Sequence, residues 1–145
     1  MELQLGGDTK AVLLAAGLIF LWGLLLGVWK YRRMAANPDG RAHPYIDTAH
    51  RAALMYSFAT LLLAVFVELS GFSATVNAIA AFVPILFFIA AIASYSVAGK
   101  RATTDNMFRD GDGPSGQHVF MWALIAGEIG GVAVLLAGFV SGQIL

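Results

Sequence analysis

The sequence predicts an all-α integral membrane protein, in which residues 1–145 form one membrane domain folded as a four-helix bundle. The first observation is composition: 59% of the residues are hydrophobic and 12% are charged, whereas soluble domains usually carry about 25% charged residues. The second is the arrangement of the apolar residues in four long runs, each near the roughly 20 residues that a helix needs to cross a bilayer core. Such runs are too long for ordinary buried strands, so we predict helices, which satisfy every backbone group within lipid.

The predicted spans cover about residues 11–29, 49–69, 74–99 and 117–140. The first span is uncharged between Lys10 and Lys30 and follows an acidic start, so we interpret it as a retained span and not as a signal peptide. The third contains no charged residue, although Pro84 should kink it. The fourth is interrupted only by Glu128.

The basic residues predict the orientation of the spans. Eight of the nine lie in or beside the two long loops: Lys30, Arg32, Arg33, Arg41, Arg51, Lys100, Arg101 and Arg109. Because cytoplasmic loops carry the excess of Lys and Arg, both long loops should be cytoplasmic and both termini non-cytoplasmic. We expect the inner membrane of a bacterium. Nine acidic residues balance the basic ones, so the charge indicates no nucleic-acid partner.

Glycine pairs predict how the helices pack. Gly23 and Gly27 form a small-xxx-small pair in the first span, and Gly127 and Gly131 form another in the fourth. Such pairs allow helix backbones to approach closely. A bundle of only four spans is small, so we also expect a homo-oligomer in the bilayer. The chain has no cysteine, which excludes disulfides and thiolate metal sites.

The histidines mark the region with the most chemistry. His43, His50 and His118 all lie on the predicted cytoplasmic side. Pro44 is well placed as the first residue of the second helix, which makes His43 its N-terminal cap. If the helix begins there, His43, Asp47 and His50 share one face.

Three interpretations of this face remain open. In the first, His50 is an axial ligand of a haem iron, Asp47 accepts the second ring N–H, and His118 supplies a second ligand. In the second, His43, Asp47 and His50 bind a non-haem metal, although about 10 Å of helical rise separates the two histidines. In the third, the histidines are interfacial residues that hydrogen-bond to Asp47, Tyr45 and lipid headgroups.

Glu128 and Tyr56 are the candidate catalytic residues within the spans. Glu128 lies roughly 16 Å into the fourth helix, near the bilayer midplane. An ionisable group at that depth is expensive and is a functional candidate. Tyr56 is a polar group that could line a cavity. The alternative is that Glu128 hydrogen-bonds to a hydroxyl or backbone group and that Tyr56 packs within the bundle.

The start of the second span, residues 49–56 (AHRAALMY), resembles the same region of the styrene oxide isomerases and hydroxylaminobenzene mutases. These short four-span enzymes have an Ala-His pair opening the second helix and an Asn six residues after the His, a position that Tyr56 occupies here. The resemblance implies that His50 is the axial ligand of haem b held between the subunits of a trimer. It also implies isomerase activity, in which ferric iron acts as a Lewis acid on a small hydrophobic epoxide.

Residues 49–51 are also similar to the membrane-associated eicosanoid and glutathione metabolism (MAPEG) proteins, which are four-span trimers. Their second helix often opens with Arg-Ala-His-Arg-Asn followed by Glu, whereas Thr48 and Ala52 stand at the Arg and Asn positions here. We therefore predict a haem b-binding membrane protein with isomerase-like chemistry. The alternatives are haem electron transfer, a glutathione-dependent enzyme, and a non-catalytic accessory subunit of a larger membrane complex.

Overall fold

A computed structural model describes residues 4–110 and 114–145 of the chain. Its four helices are α1 (Gly7–Ala36), α2 (Pro44–Leu69), α3 (Ala74–Arg101) and α4 (Pro114–Gln143). All four are long and apolar enough to cross a membrane. The prediction of an all-α, four-helix membrane protein is therefore confirmed, and each helix contains its predicted span and extends beyond it.

Local capping explains where α2 and α3 begin and end. His43 is the N-cap of α2, where its Nδ1 accepts the backbone N–H of Tyr45 at 3.2 Å and Pro44 is the first helical residue. Ser73 caps α3 in the same way. The far end of α3 stops at Ala102, which adopts a left-handed conformation with φ of 52°. The predicted role of His43 as a cap is thus confirmed.

The helices pack in chain order, α1 on α2, α2 on α3 and α3 on α4, and α2 also contacts α4. Between the described residues of α1 and α4 no such packing occurs. This arrangement makes α2 the central helix. One end of the bundle carries the α1–α2 and α3–α4 loops and is called the loop end below. The opposite end carries the short α2–α3 turn and is called the turn end.

The bundle buries small and branched side chains and exposes large apolar ones. Fully buried positions include Val12, Ala53, Ile85, Ile92 and Leu135. The outer surface carries many leucines and aromatics, among them Leu18, Leu25, Phe58, Leu86 and Trp122. A soluble monomer rarely exposes an apolar surface of this extent. The outer surface therefore suits contact with lipid, as an integral membrane protein requires.

Glycines bring the helices into close contact at the turn end and along their lengths. Gly71 donates its backbone N–H to the Gly138 carbonyl at 2.8 Å, which ties the α2–α3 turn to α4. A Cβ at Gly23 would lie 3.0 Å from the Leu54 side chain, and one at Gly131 would overlap the Ala80 carbonyl oxygen. The predicted glycine pairs therefore lie at helix contacts, between α1 and α2 and between α3 and α4.

Candidate functional site

His50 lies between α2 and α1, held against the glycines of α1. Its Nδ1 is 2.9 Å from the Gly23 carbonyl oxygen. A carbonyl oxygen can only accept, so Nδ1 carries the ring proton and the neutral ring has its lone pair on Nε2. The ring lies directly over Gly27, where an added Cβ would be 2.8 Å from the imidazole Cε1. The two glycines thus provide both the hydrogen bond and the space for this imidazole.

Asp47 has different partners from those expected of it. Its carboxylate forms a 2.5 Å ion pair with Lys30 of α1, and the Arg51 guanidinium approaches it at 3.8 Å. The expected hydrogen bond from His50 to Asp47 is therefore replaced by the bond to Gly23. A charge-assisted bond to a cation is stronger than a bond to a neutral imidazole, which explains the preference of the carboxylate.

His43 belongs to an aromatic stack at the loop end. Its ring stacks on Tyr45 with centroids 6.0 Å apart, and Tyr45 stacks on Tyr95 at 6.1 Å. The structure does not gather His43, Asp47 and His50 around a common point. Among residues 4–110 and 116–145, no three His, Asp or Glu side chains are close enough to hold a metal ion. The helical rise between His43 and His50 accounts for this separation.

His118 stands apart from His50 within the chain. It is exposed near the start of α4, and its ring lies 6.5 Å from that of Phe108 in the preceding loop. His50 faces α1, and the described parts of α1 and α4 do not pack together. One chain therefore does not bring His50 and His118 to opposite sides of one iron.

Tyr56 and Glu128, the two candidate catalytic residues, meet in the interior between α2, α3 and α4. Tyr56 stacks on Phe88 with centroids 4.3 Å apart. The Glu128 carboxyl lies within electrostatic range of the phenols of Tyr56 and Tyr95. Its Oε1 atom is buried and has no hydrogen-bond partner among the described residues. The expected hydrogen bond from Glu128 to a hydroxyl or backbone group is therefore missing at this oxygen.

A groove of about 300 Å³ opens beside this interior cluster. We call it the tyrosine groove, and its walls are formed by Thr48, Arg51, Ala52, Met55, Tyr56 and Tyr95. Its volume is at the lower end of the range for small-molecule sites. Sequence reasoning missed Tyr95. Tyr95 could have been found from its position in the last turns of α3. Because α2 and α3 are antiparallel, the end of α3 lies beside the start of α2.

The α3–α4 loop next to His118 is ordered by ion pairs. Arg109 contacts Asp105 at 3.0 Å and Asp110 at 2.7 Å, and the Thr104 hydroxyl also donates to Asp110 at 2.7 Å. The Arg109 guanidinium and the Thr104 hydroxyl hold the pKa of the Asp110 carboxyl at about 2. The pair is therefore charged at any physiological pH.

The geometry thus separates two candidate sites on one helix. His50 occupies the side of α2 that faces α1, whereas Tyr56 and the tyrosine groove face α3. Six residues separate the two along the helix, which corresponds to about 120° around its axis. Comparison of the chain with protein-family models, with curated proteins and with solved structures found no match.

Proposed function

We propose that this integral membrane protein binds haem b, with Nε2 of His50 as an axial ligand to the iron. The observation that carries the proposal is the hydrogen bond between His50 Nδ1 and the Gly23 carbonyl. Histidines that bind metals almost always donate their second ring N–H to a carbonyl or carboxylate, which fixes the tautomer and makes the ligand more basic. A neutral imidazole nitrogen is also a common donor to haem iron.

The surroundings of His50 fit such a group. The imidazole is only half-buried, so part of it faces the outside of the bundle. The exposed surfaces of α1 and α2 carry large apolar side chains, among them Leu21, Leu24 and Phe58. A flat apolar macrocycle suits this surface if a second copy of the chain covers its other side. This agrees with the trimer, and with the haem between subunits, that the resemblance to the isomerases implies.

The residues of the chain have separate roles in this proposal. The Gly23 carbonyl holds the ring proton of His50, and Gly27 leaves room for the ring. When bound, ferric haem would supply a Lewis-acidic iron. Because the described helices of one chain keep His118 away from His50, closure of the sixth position by His118 would need a second copy. Within one chain, His50 would therefore be the single histidine that holds the haem, and electron transfer through two histidine ligands would require His118 of a second copy.

The proposal also keeps the predicted orientation, in which the loop end faces the cytoplasm of a bacterium. The eight basic residues at that end support it through the positive-inside rule. In this orientation His50 lies toward the cytoplasmic side of the membrane.

A haemin titration of the purified protein tests the proposal. The detergent-solubilised chain should bind haemin saturably, and its Soret band should shift and sharpen relative to haemin in the same micelles. Micelles without protein, and micelles with an unrelated four-helix membrane protein, are the controls. The proposal would be wrong if, at every protein concentration, the spectrum stayed identical to that of haemin in empty micelles.

A second candidate function is isomerisation of a small hydrophobic substrate in the tyrosine groove. The position of Glu128 within a membrane span favours it, because an ionisable group buried in the bilayer is expensive and is a functional candidate by default. In this role Tyr56 donates a hydrogen bond to the polar atom of the substrate, and Glu128 orients the phenol or moves its proton. Proton transfer by a positioned side chain typically contributes about 100-fold or more to a rate.

Turnover of an aryl epoxide such as styrene oxide by the purified protein, with and without haemin, tests this candidate. Tyr56→Phe and Glu128→Gln should each lower kcat about 100-fold while the Soret band stays unchanged. Tyr45→Phe is the matched control, since Tyr45 belongs to the neighbouring stack but lies outside the groove walls. Unchanged turnover in both variants would contradict a catalytic role for Tyr56 and Glu128. No turnover by the wild type would contradict isomerisation of this epoxide.

A further inference from the structure

A second pocket lies at the loop end, away from His50 and from the tyrosine groove. Its volume is about 300 Å³, and it is formed where α1 ends, α2 begins and α3 ends. We call it the basic pocket, and its polar wall residues are Arg33, Asn37, Arg41, His43 and Lys100. All of these groups can donate hydrogen bonds, and the walls contain no carboxylate.

The three cations of the basic pocket are among the cations at this end that form no ion pair with the described residues, as are Arg32 and Arg101. Lys30 and Arg51 pair with Asp47, and Arg109 pairs with Asp105 and Asp110. By contrast, Arg33, Arg41 and Lys100 form no ion pair with any carboxylate in the described ranges. The pocket therefore concentrates positive charge that these acidic groups do not neutralise.

His43 adds a directed donor to the pocket. Its Nδ1 accepts the Tyr45 backbone N–H, so the proton of the neutral ring is on Nε2. This N–H belongs to the residue that caps the N-terminus of α2, where the helix dipole favours an anion. The same hydrogen bond that begins the helix thus fixes the tautomer that can donate to a ligand.

Local contacts order the backbone segments that carry these donors. Asn37 donates its side-chain amide to the Arg41 carbonyl at 2.9 Å, and Asp39 accepts the Arg41 backbone N–H at 3.0 Å. The turn between them requires Gly40, which has φ of +68°. On the other side, a Cβ at Gly99 would lie 2.7 Å from the Ile46 side chain. The end of α3, with Lys100, is therefore packed directly on the first turn of α2.

An apolar groove of about 500 Å³ on the outer surface of α1 continues into the basic pocket. The walls of the groove that it does not share with the pocket are Leu25, Val28, Trp29 and Arg32. The groove and the pocket share Arg33 and Ala36. A site with a polar, cationic end and an apolar extension along a membrane helix matches an amphipathic molecule. A free phosphate ion would fill the pocket alone and leave the groove empty.

We infer that the basic pocket binds the phosphate of an anionic phospholipid, with an acyl chain along the α1 groove. Arg33 lies one turn beyond the uncharged stretch that ends at Trp29. This places the pocket at the depth of the lipid headgroups. Basic pockets between membrane helices commonly hold anionic headgroups, and arginine binds phosphate with two parallel hydrogen bonds. This inference does not depend on haem binding at His50.

Native mass spectrometry of the full chain with added phosphatidylglycerol tests this inference. The variant Arg33→Gln/Lys100→Gln removes two pocket cations. The matched control Arg51→Gln/Arg101→Gln removes two exposed cations at the same end, which lie outside the walls of both the pocket and the groove. We expect the pocket variant to lose affinity at least about tenfold, the effect of one charge-assisted hydrogen bond, and the control to change it less than about twofold.

Three further measurements make the outcome decisive. Arg41→Gln changes only an exposed loop side chain, so its weaker binding would support the pocket even if the double variant folds poorly. Phosphatidylcholine should bind weakly, and inorganic phosphate at a hundredfold excess should not displace phosphatidylglycerol.

Equal losses of affinity in the pocket and control variants would show a diffuse charge effect and overturn the site. Displacement by inorganic phosphate at the lipid's own concentration would overturn the lipid assignment.

Discussion

Replacement of His50 by alanine is expected to weaken haemin binding at least about 100-fold and to abolish the specific Soret band. His50 would supply the coordinate bond to iron. Without its imidazole, the Gly23 carbonyl no longer orients a ligand. Loss of even an outer-shell partner typically costs tenfold to 100-fold in metal affinity, so loss of the ligand should cost at least that much. The measurement is a haemin titration followed by absorption, with circular dichroism to confirm the helical content.

His43→Ala and His118→Ala are the matched controls for this prediction. The cap His43 and the exposed His118 are both removed from the Gly23–Gly27 surface, so each variant should keep the wild-type spectrum. Added imidazole should restore a wild-type-like spectrum to His50→Ala by filling the vacated space. If His50→Ala binds haemin with unchanged affinity and spectrum, His50 is not the ligand.

Gly131→Ala is expected to destabilise the bundle by about 1–3 kcal/mol, the usual effect of forcing extra volume into a packed interior. An added Cβ would overlap the Ala80 carbonyl oxygen and lie 2.5 Å from the Pro84 ring. Pro84 has no N–H to donate to the carbonyl four residues before it, which is that of Ala80. The close approach of α4 at Gly131 therefore covers the one carbonyl that this proline frees. Unfolding in mixed micelles with increasing dodecyl sulfate measures the effect.

Gly130→Ala makes the same chemical change one residue earlier and serves as the control. A Cβ at Gly130 would meet no atom within 4 Å, so only the intrinsic helix preference of alanine acts there. We expect this variant to be as stable as the wild type or slightly more stable. Equal stability of the two variants would contradict the close contact between α3 and α4 at Gly131.

The sequence was sufficient to predict the helices, because lipid leaves the backbone few alternatives. Run length alone defined four spans, and Pro44 after His43 indicated where α2 begins. The faces at which the helices meet were harder to predict, since membrane helices are apolar on the inner and outer sides alike. Only the glycine pairs carried that information, and the structure places both pairs at helix contacts.

The candidate sites were predictable by residue type but not by partner. His50, Tyr56 and Glu128 were identifiable as polar groups in or beside apolar runs. Sequence reasoning could not predict that a backbone carbonyl on α1 would replace Asp47 as the partner of His50, because every residue has a backbone carbonyl. Likewise, Lys30 and Asp47 are far apart in the chain, and only the antiparallel packing of α1 on α2 brings them together.

The most direct test of the central claim is electron–nuclear double resonance of the ferric, haemin-loaded variant His43→Gln/His118→Gln with ¹⁵N-labelled histidine. The chain has three histidines, so His50 is the only labelled residue that remains. We predict a strong coupling from one histidine nitrogen to the iron, as in the labelled wild type. A haemin-loaded variant without any histidine nitrogen coupling would contradict the assignment of His50 as the axial ligand.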